Sequence, residues 1–238
     1  MGQVRLYLDR ELEEGQTISL AREQAHYLFG VMRMGPGARL EVFDGRSGAY
    51  AAEVAEAGKR GGALCIGART APLRRPPDLW LLFAPIKKSR TDFIVEKAAE
   101  MGAARILPVQ TDFTNAERVR RDRLQAHAVE AAEQCGGTYV PEVADLARLA
   151  EVLADWPADR RLMFCDEGLA GPASSLPDEP GPWAILIGPE GGFSEAERAR
   201  LAAMAQARAV SLGPRILRAD TAAVAALTLW QARLGDWR

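Results

Sequence analysis

Apolar and polar positions along this chain follow two different rules. Up to about residue 70 the apolar residues come in short runs: Arg5-Leu-Tyr-Leu-Asp9, Thr17-Ile-Ser-Leu20, Ala38-Arg-Leu-Glu-Val-Phe43, Gly48 to Val54 and Ala63 to Ala68. Runs of this length between glycine-bearing turns predict short strands. Asp44-Gly45 is a turn signal that predicts a hairpin between the third and fourth runs. One helical stretch, about Arg22 to Met32, interrupts them. Short strands linked by glycine turns predict a small barrel.

The proline-rich stretch Thr70-Ala-Pro-Leu-Arg-Arg-Pro-Pro77 separates the two regimes and predicts a domain boundary, with domains at 1–72 and 73–238. Beyond it, buried-strand runs alternate with helical spacing, which predicts an α/β domain with a largely parallel sheet. Strands are expected at Asp78–Ile86, Arg105–Gln110, Arg161–Cys165, Ala184–Ile187 and Ala209–Leu212. Helices are expected at Asp92–Met101, where Phe93, Ile94, Ala98 and Met101 share a face, at Ala116–Gln134 and at Asp220–Leu234.

Composition narrows the class. The 238 residues are 48% hydrophobic and 26% charged, as in ordinary soluble domains. A net charge of −2 means that any nucleic-acid site must be a local basic patch. Three widely spaced cysteines (Cys65, Cys135, Cys165) and two distant histidines (His26, His127) form neither a disulfide framework nor a metal-ligand pattern, so no metal is expected. No apolar run is long enough to span a bilayer, and the N-terminal Met-Gly-Gln-Val-Arg-Leu lacks a signal-peptide core. A soluble cytoplasmic protein is expected.

Two stretches carry candidate chemistry. In the first, the apolar run Ala184 to Ile187 empties into Gly188-Pro-Glu-Gly-Gly192, and Ser194 with Glu197 forms a capping box that starts a helix. Strand, glycine loop and helix start together let backbone approach a ligand closely. No Gly-Lys-Ser/Thr follows, and the loop is not Gly-x-Gly-x-x-Gly, so phosphate-loop and dinucleotide fingerprints both fail. The second stretch, Ser211-Leu-Gly-Pro-Arg-Ile-Leu-Arg-Ala-Asp-Thr221, repeats the arrangement, with Arg218 and Asp220 flanking a helix start. The plainer alternative makes Asp220 or Thr221 a helix cap and Arg218 its surface ion-pair partner. The following Ala222 to Trp230 is apolar nearly all round, so it must be buried in the core or against a second subunit. Two glycine turns backed by buried elements suit a compact organic ligand.

Ile187-Gly-Pro-Glu-Gly-Gly-Phe-Ser-Glu-Ala-Glu197 followed by Leu212-Gly-Pro-Arg-Ile-Leu-Arg-Ala-Asp-Thr221 resembles the SPOUT class of RNA methyltransferases, and within it the RsmE family. Asp92 to Gly102, Glu130 to Gly136, Val140-Pro-Glu-Val143 and His26 to Arg33 are similar to further landmarks of that family, so the resemblance covers essentially the full chain. It implies methylation of N(3) of a uridine in small-subunit (16S) ribosomal RNA, in an obligate homodimer. It also implies a trefoil-knotted C-terminal α/β domain that binds S-adenosyl-L-methionine and an N-terminal PUA-like barrel that binds RNA. The cofactor residues implied are Ile187, Gly188, Glu190, Gly191, Gly192, Leu212, Gly213, Ile216 and Leu217. Two positions depart from the family: Asp220 stands where Glu is usual, and Gly137 near where arginine is common.

For such a reaction Asp220 is the candidate to accept the N(3) proton, and Arg218 to stabilise charge developing on the uracil carbonyls. Arg33, Lys87, Arg90 and Arg118 are the candidate RNA contacts. The Lys87–Arg90 segment is expected as a loop at a strand end. Arg118 lies in the arginine-rich run Asn115–Arg123, whose plainer reading is a solvated helix face. Rival functions are another SPOUT RNA methyltransferase, modifying a ribose 2′-hydroxyl or another base, and a non-catalytic ribosome-assembly factor with the same fold.

Overall fold

The computed structural model describes residues 3–58, 61–116, 118–169, 171–172 and 176–238. Met1 and Gly2 of the N-terminal segment and Glu117 of the arginine-rich run lie outside the described residues. The chain divides into two units, Met1–Arg75 with Ala132–Tyr139, and Pro76–Ala131 with Val140–Arg238.

In the first unit, β1 (Arg5–Tyr7), β2 (Thr17–Ser19), β3 (Arg39–Phe43), β4 (Gly48–Ala57) and β5 (Gly62–Pro72) form one sheet in the order β1-β3-β4-β5-β2. The β3–β4 hairpin closes where Asp44-Gly45 predicts it, and β5 runs three residues into the proline-rich joint. Asp44 is buried at that turn because its carboxylate is fully engaged, accepting the N–H groups of Leu12, Arg46, Ser47 and Gly48 and the Ser47 hydroxyl. Burial pushes that carboxyl up, but the bonds from Ser47, Arg46 and Gly48 outweigh it and hold the group below the usual range. The helical stretch near residue 22 is a short α1 (Arg22–Ala25) continued by a π-helical segment, His26–Val31. Gly137 joins this unit too, its carbonyl accepting Arg5 Nη2 at 2.9 Å.

The second unit is a parallel sheet in the order β12 (Ala207–Val210), β10 (Arg161–Cys165), β11 (Trp183–Ile187), β6 (Leu79–Phe83), β7 (Arg105–Gln110), β8 (Glu142–Val143), with β9 (Ala147–Arg148) also pairing with β7. Alternate residues of each strand feed two cores. Trp183, Ile185 and Ile187 face one core, with Ile94, Val95 and Ala98 of α2 (Lys88–Glu100), Leu124 and Ala128 of α3 (Arg121–Cys135), and Ala223, Leu227 and Trp230 of α6 (Ala219–Leu234). Ala184 and Leu186 face the other, with Leu149 and Leu153 of α4 (Leu149–Ala154) and Leu201 of α5 (Glu195–Ala203). Strands buried on both faces explain why they read as unbroken apolar runs.

Two expectations and one alternative reading need correction. Lys87–Arg90 is not a loop: Lys87 is the N-cap of α2, whose start is fixed by Thr91 Oγ1 bonding both the N–H and the carbonyl of Ile86. α3 begins at Arg121 rather than Ala116, because a turn held by Thr111 and Thr114 precedes it and its fully buried face starts at Leu124. In α6, Ala222, Ala223, Ala226, Leu227 and Trp230 are buried in the core, and Thr228 is exposed. The helix's one fully buried polar side chain, Gln231, donates to the Met101 carbonyl at 2.6 Å and accepts from Asp236 N–H. Asp220 is not a cap either: the N-cap of α6 is Arg218, without a side-chain capping bond.

Candidate functional site

β10, β11 and β12 run side by side, so the segments leaving their C-terminal ends converge. Ligands in open parallel sheets bind at that edge. Here it carries a cleft enclosing about 580 Å³ of space, counting the part open to solvent. Ile187, Gly188, Pro189, Glu190 and Gly192 form one wall, and Ser211, Leu212, Gly213, Arg215, Ile216 and Leu217 the facing one. Of the residues expected at a cofactor, only Gly191 is absent from the lining. A Cβ added at Gly191 would rest 3.4 Å from Phe113 Cβ, on the side of the loop after β7.

Each wall is fixed by its own chemistry. The first is a tight turn, with Gly192 N–H bonded to Pro189 O at 3.0 Å. Its far end is anchored by Phe193, which is buried and packs edge-on against Phe164 with ring centroids 6.3 Å apart. The Ser194/Glu197 capping box is present as the sequence predicts. It is extended by a residue from the loop after β7: Asp112 N–H donates to Glu197 Oε1 at 2.9 Å, and Ser194 Oγ donates to Asp112 Oδ2 at 2.5 Å. In the second wall, Gly213 has φ +125° and a bond from its N–H to Ser211 Oγ at 3.3 Å. That backbone is accessible almost only to glycine. Nothing lies within 4 Å of where a Cβ would sit, so glycine is needed there for its conformation rather than for lack of room.

Cys165 and Asp166 complete the floor at the end of β10, although neither belongs to a motif. Asp166 accepts Gly168 N–H and, through both oxygens, Arg198 Nε at 3.1 Å, which ties the floor to α5. Burial pushes the Cys165 thiol up to about 12, so the sulfur is a neutral wall atom and not a nucleophile. At pH 8 an alkylating reagent is therefore expected to label Cys65 and Cys135, which are exposed, and to spare Cys165 until the fold is denatured. Peptide mass mapping reads this directly.

Arg218 and Asp220 stand where the second wall passes into α6. Arg218 is exposed, and its guanidinium has no partner among the described residues. Asp220 is half-buried and engaged at both oxygens: Oδ1 accepts Thr221 N–H at 2.9 Å, and Oδ2 accepts Arg90 Nη1 at 2.7 Å. Arg90, expected to meet phosphate, is thus already paired with a carboxylate. The arginine-rich run is largely committed as well. Arg120 pairs with Asp122, Arg121 Nε donates to Val143 O, and Arg123 pairs with Asp92. Arg118 and Lys87 are exposed, as is Arg33, whose φ of +55° makes it the one non-glycine residue with positive φ among the described residues.

No group of three or more His, Cys, Asp or Glu side chains is arranged to hold a metal ion, and no helix is long and apolar enough to cross a membrane, among the described residues. The cleft instead fits an organic cofactor with an apolar body. Ile187, Val210, Leu212, Ile216, Leu217, Ala219 and Ala222 supply apolar surface, while Glu190 and Arg215 place one charge of each sign at the lining.

Comparison with known proteins agrees with this geometry. Residues 74–231 match the model of the RNA methyltransferase domain family, and residues 20–63 that of the RNA methyltransferase PUA domain. The crystal structure of a ribosomal RNA small subunit methyltransferase E from Neisseria gonorrhoeae, bound to S-adenosyl methionine, superposes with a TM-score of 0.90 at 29% identity over 100% of both chains. Proteins named ribosomal RNA small subunit methyltransferase E from Mycobacterium bovis and Rickettsia conorii are 30% and 27% identical, covering 97% of this chain in each case and 94% and 95% of the relatives. The chain belongs to the RsmE family of RNA methyltransferases.

Proposed function

We propose that this protein transfers a methyl group from S-adenosyl-L-methionine to N(3) of a uridine in small-subunit (16S) ribosomal RNA. The observation that carries the reading is the cleft between two glycine-bearing walls, with Arg218 and Asp220 at the helix start beside it. Bound S-adenosyl-L-methionine supplies an electrophilic methyl group, held by Ile187 to Gly192 on one side and by Leu212, Gly213, Ile216 and Leu217 on the other. What remains for the protein is alignment and charge management. Asp220 accepts the uracil N(3) proton, and Arg218 offsets the negative charge that spreads onto the uracil carbonyls. Isothermal calorimetry tests the first half of this reading. Saturable one-site binding of S-adenosyl-L-methionine is expected, and its absence would favour a non-catalytic assembly factor.

The N-terminal domain is read as the PUA-like RNA module, with Arg33 as its contribution, and the remainder as the catalytic domain, with the knot that the resemblance implies. Lys87 and Arg118, exposed and unpaired among the described residues, are the phosphate contacts proposed on the catalytic domain. Lys87→Glu and Arg118→Glu are each expected to weaken binding to small ribosomal subunits. Each should also flatten the salt dependence by about one counterion, the one released when that cation meets a phosphate. Filter binding across a salt series measures both effects, and an unchanged slope would remove that residue from the interface. A cytoplasmic homodimer acting on the assembled subunit is the working context.

A further inference from the structure

We propose that Arg90 is a positioning residue for the transfer: its guanidinium holds the Asp220 carboxylate in the orientation from which that carboxylate meets the uracil N(3) proton. This rests on the reading of Asp220 as the proton acceptor.

Three observations support it. The first is the bond itself, Arg90 Nη1 to Asp220 Oδ2 at 2.7 Å, between side chains 30% and 17% exposed and 130 positions apart in sequence. The second is its local cost. Arg90 sits in the first turn of α2, which has no acidic residue and already carries Lys87 and Lys88. A cation there opposes the positive end of the helix dipole. The Asp220 carboxylate lies in the first turn of α6 and reaches that charge, so it is held by α6's own Thr221 N–H and by a guanidinium from the start of α2. The third is the setting of the carboxylate, which is mostly buried and bonded through both oxygens, one to backbone and one to Arg90. Orientation is what the pair supplies. With Oδ1 on the Thr221 N–H and Oδ2 on Arg90, the plane of the carboxylate is fixed. Without Arg90 only the bond to the adjacent peptide remains, and the group can turn about its own side-chain torsion.

The alternative role for Arg90 is the phosphate contact suggested by its basic neighbours, and kinetics separates the two. Single-turnover rates and subunit KM would be measured for Arg90→Ala, Arg90→Lys, Asp220→Asn and the Arg90→Ala/Asp220→Asn double variant, at saturating S-adenosyl-L-methionine. Arg90→Ala is expected to lower the rate on the order of 10- to 100-fold, the scale of a misplaced reacting group, with KM changed less than about twofold. Arg90→Lys is expected to restore most of the rate, because the native bond uses a single Nη1 and does not need the guanidinium fork. The double variant should be no slower than Asp220→Asn alone, since Arg90 has nothing to position once the carboxylate is gone. A higher KM at unchanged rate, or a double variant as slow as the product of the two single effects, would overturn the proposal and leave the Asp220 reading standing. Asp220→Asn at the wild-type rate would sink both together. Should the alanine variant fail to fold, Arg90→Gln, which keeps a stem and an N–H donor, carries the same double-variant comparison.

Discussion

Arg218→Ala is expected to lower the rate of methyl transfer by roughly 10²–10³-fold, the effect of removing one preorganised donor from a site of developing charge. Affinity for S-adenosyl-L-methionine should stay unchanged, because Arg218 is exposed beside the cleft and absent from its lining. The residue is otherwise hard to explain. A guanidinium with no partner among the described residues caps a helix through its backbone alone and adds a positive charge to a helix N-terminus, where a carboxylate or hydroxyl residue would be more stable. Losing it should therefore cost the fold nothing and the reaction a great deal. Single-turnover rates set beside calorimetric affinities check this, and a variant that loses cofactor affinity while keeping its rate would place Arg218 at the methyl donor instead.

The second large effect is the converse. Gly213→Ala is expected to weaken S-adenosyl-L-methionine binding while leaving the rate at saturating cofactor nearly intact. The added methyl has room, so only the φ of +125° opposes it. The loop will relax to a conformation alanine tolerates, and restoring the strained one on binding costs about 1–3 kcal/mol, or roughly 5- to 150-fold in Kd. Gly188→Ala makes an informative control, because its φ is not positive but the new methyl would lie 3.2 Å from the buried Phe193 ring. Its effect comes from crowding, and it should lower stability along with affinity.

The first wall of the cleft was legible in the sequence because every signal in it is local: an apolar run, a glycine turn, and a capping residue three positions before its partner. Hence Trp183–Ile187 and the Ser194/Glu197 box stand as expected. The apolar spacing of Leu149, Val152 and Leu153 carried an equally local signal for α4, while β8 and β9, two residues each, were too short to show periodicity. What no local pattern encodes is partnership across strands. Asp112 fastens a capping box 82 positions away, and Arg90 meets Asp220 across 130. The same blindness affected charge. In the arginine-rich run Asn115–Arg123, Asp92, Asp122 and a backbone carbonyl occupy three of the arginines. Cys165 and Asp166 were reachable by a general rule, since they end a parallel strand beside the strand that carries the glycine loop.

Methyl transfer to uridine N(3) is put to its most direct test by incubating the purified protein with methyl-labelled S-adenosyl-L-methionine and small ribosomal subunits from a strain lacking the enzyme. The ribosomal RNA is then digested to nucleosides and the labelled product identified by mass spectrometry. Label is expected in 3-methyluridine at a single site, and is expected to be lost with Asp220→Asn. Label on a ribose or on another base, or none despite bound cofactor, would overturn the assignment.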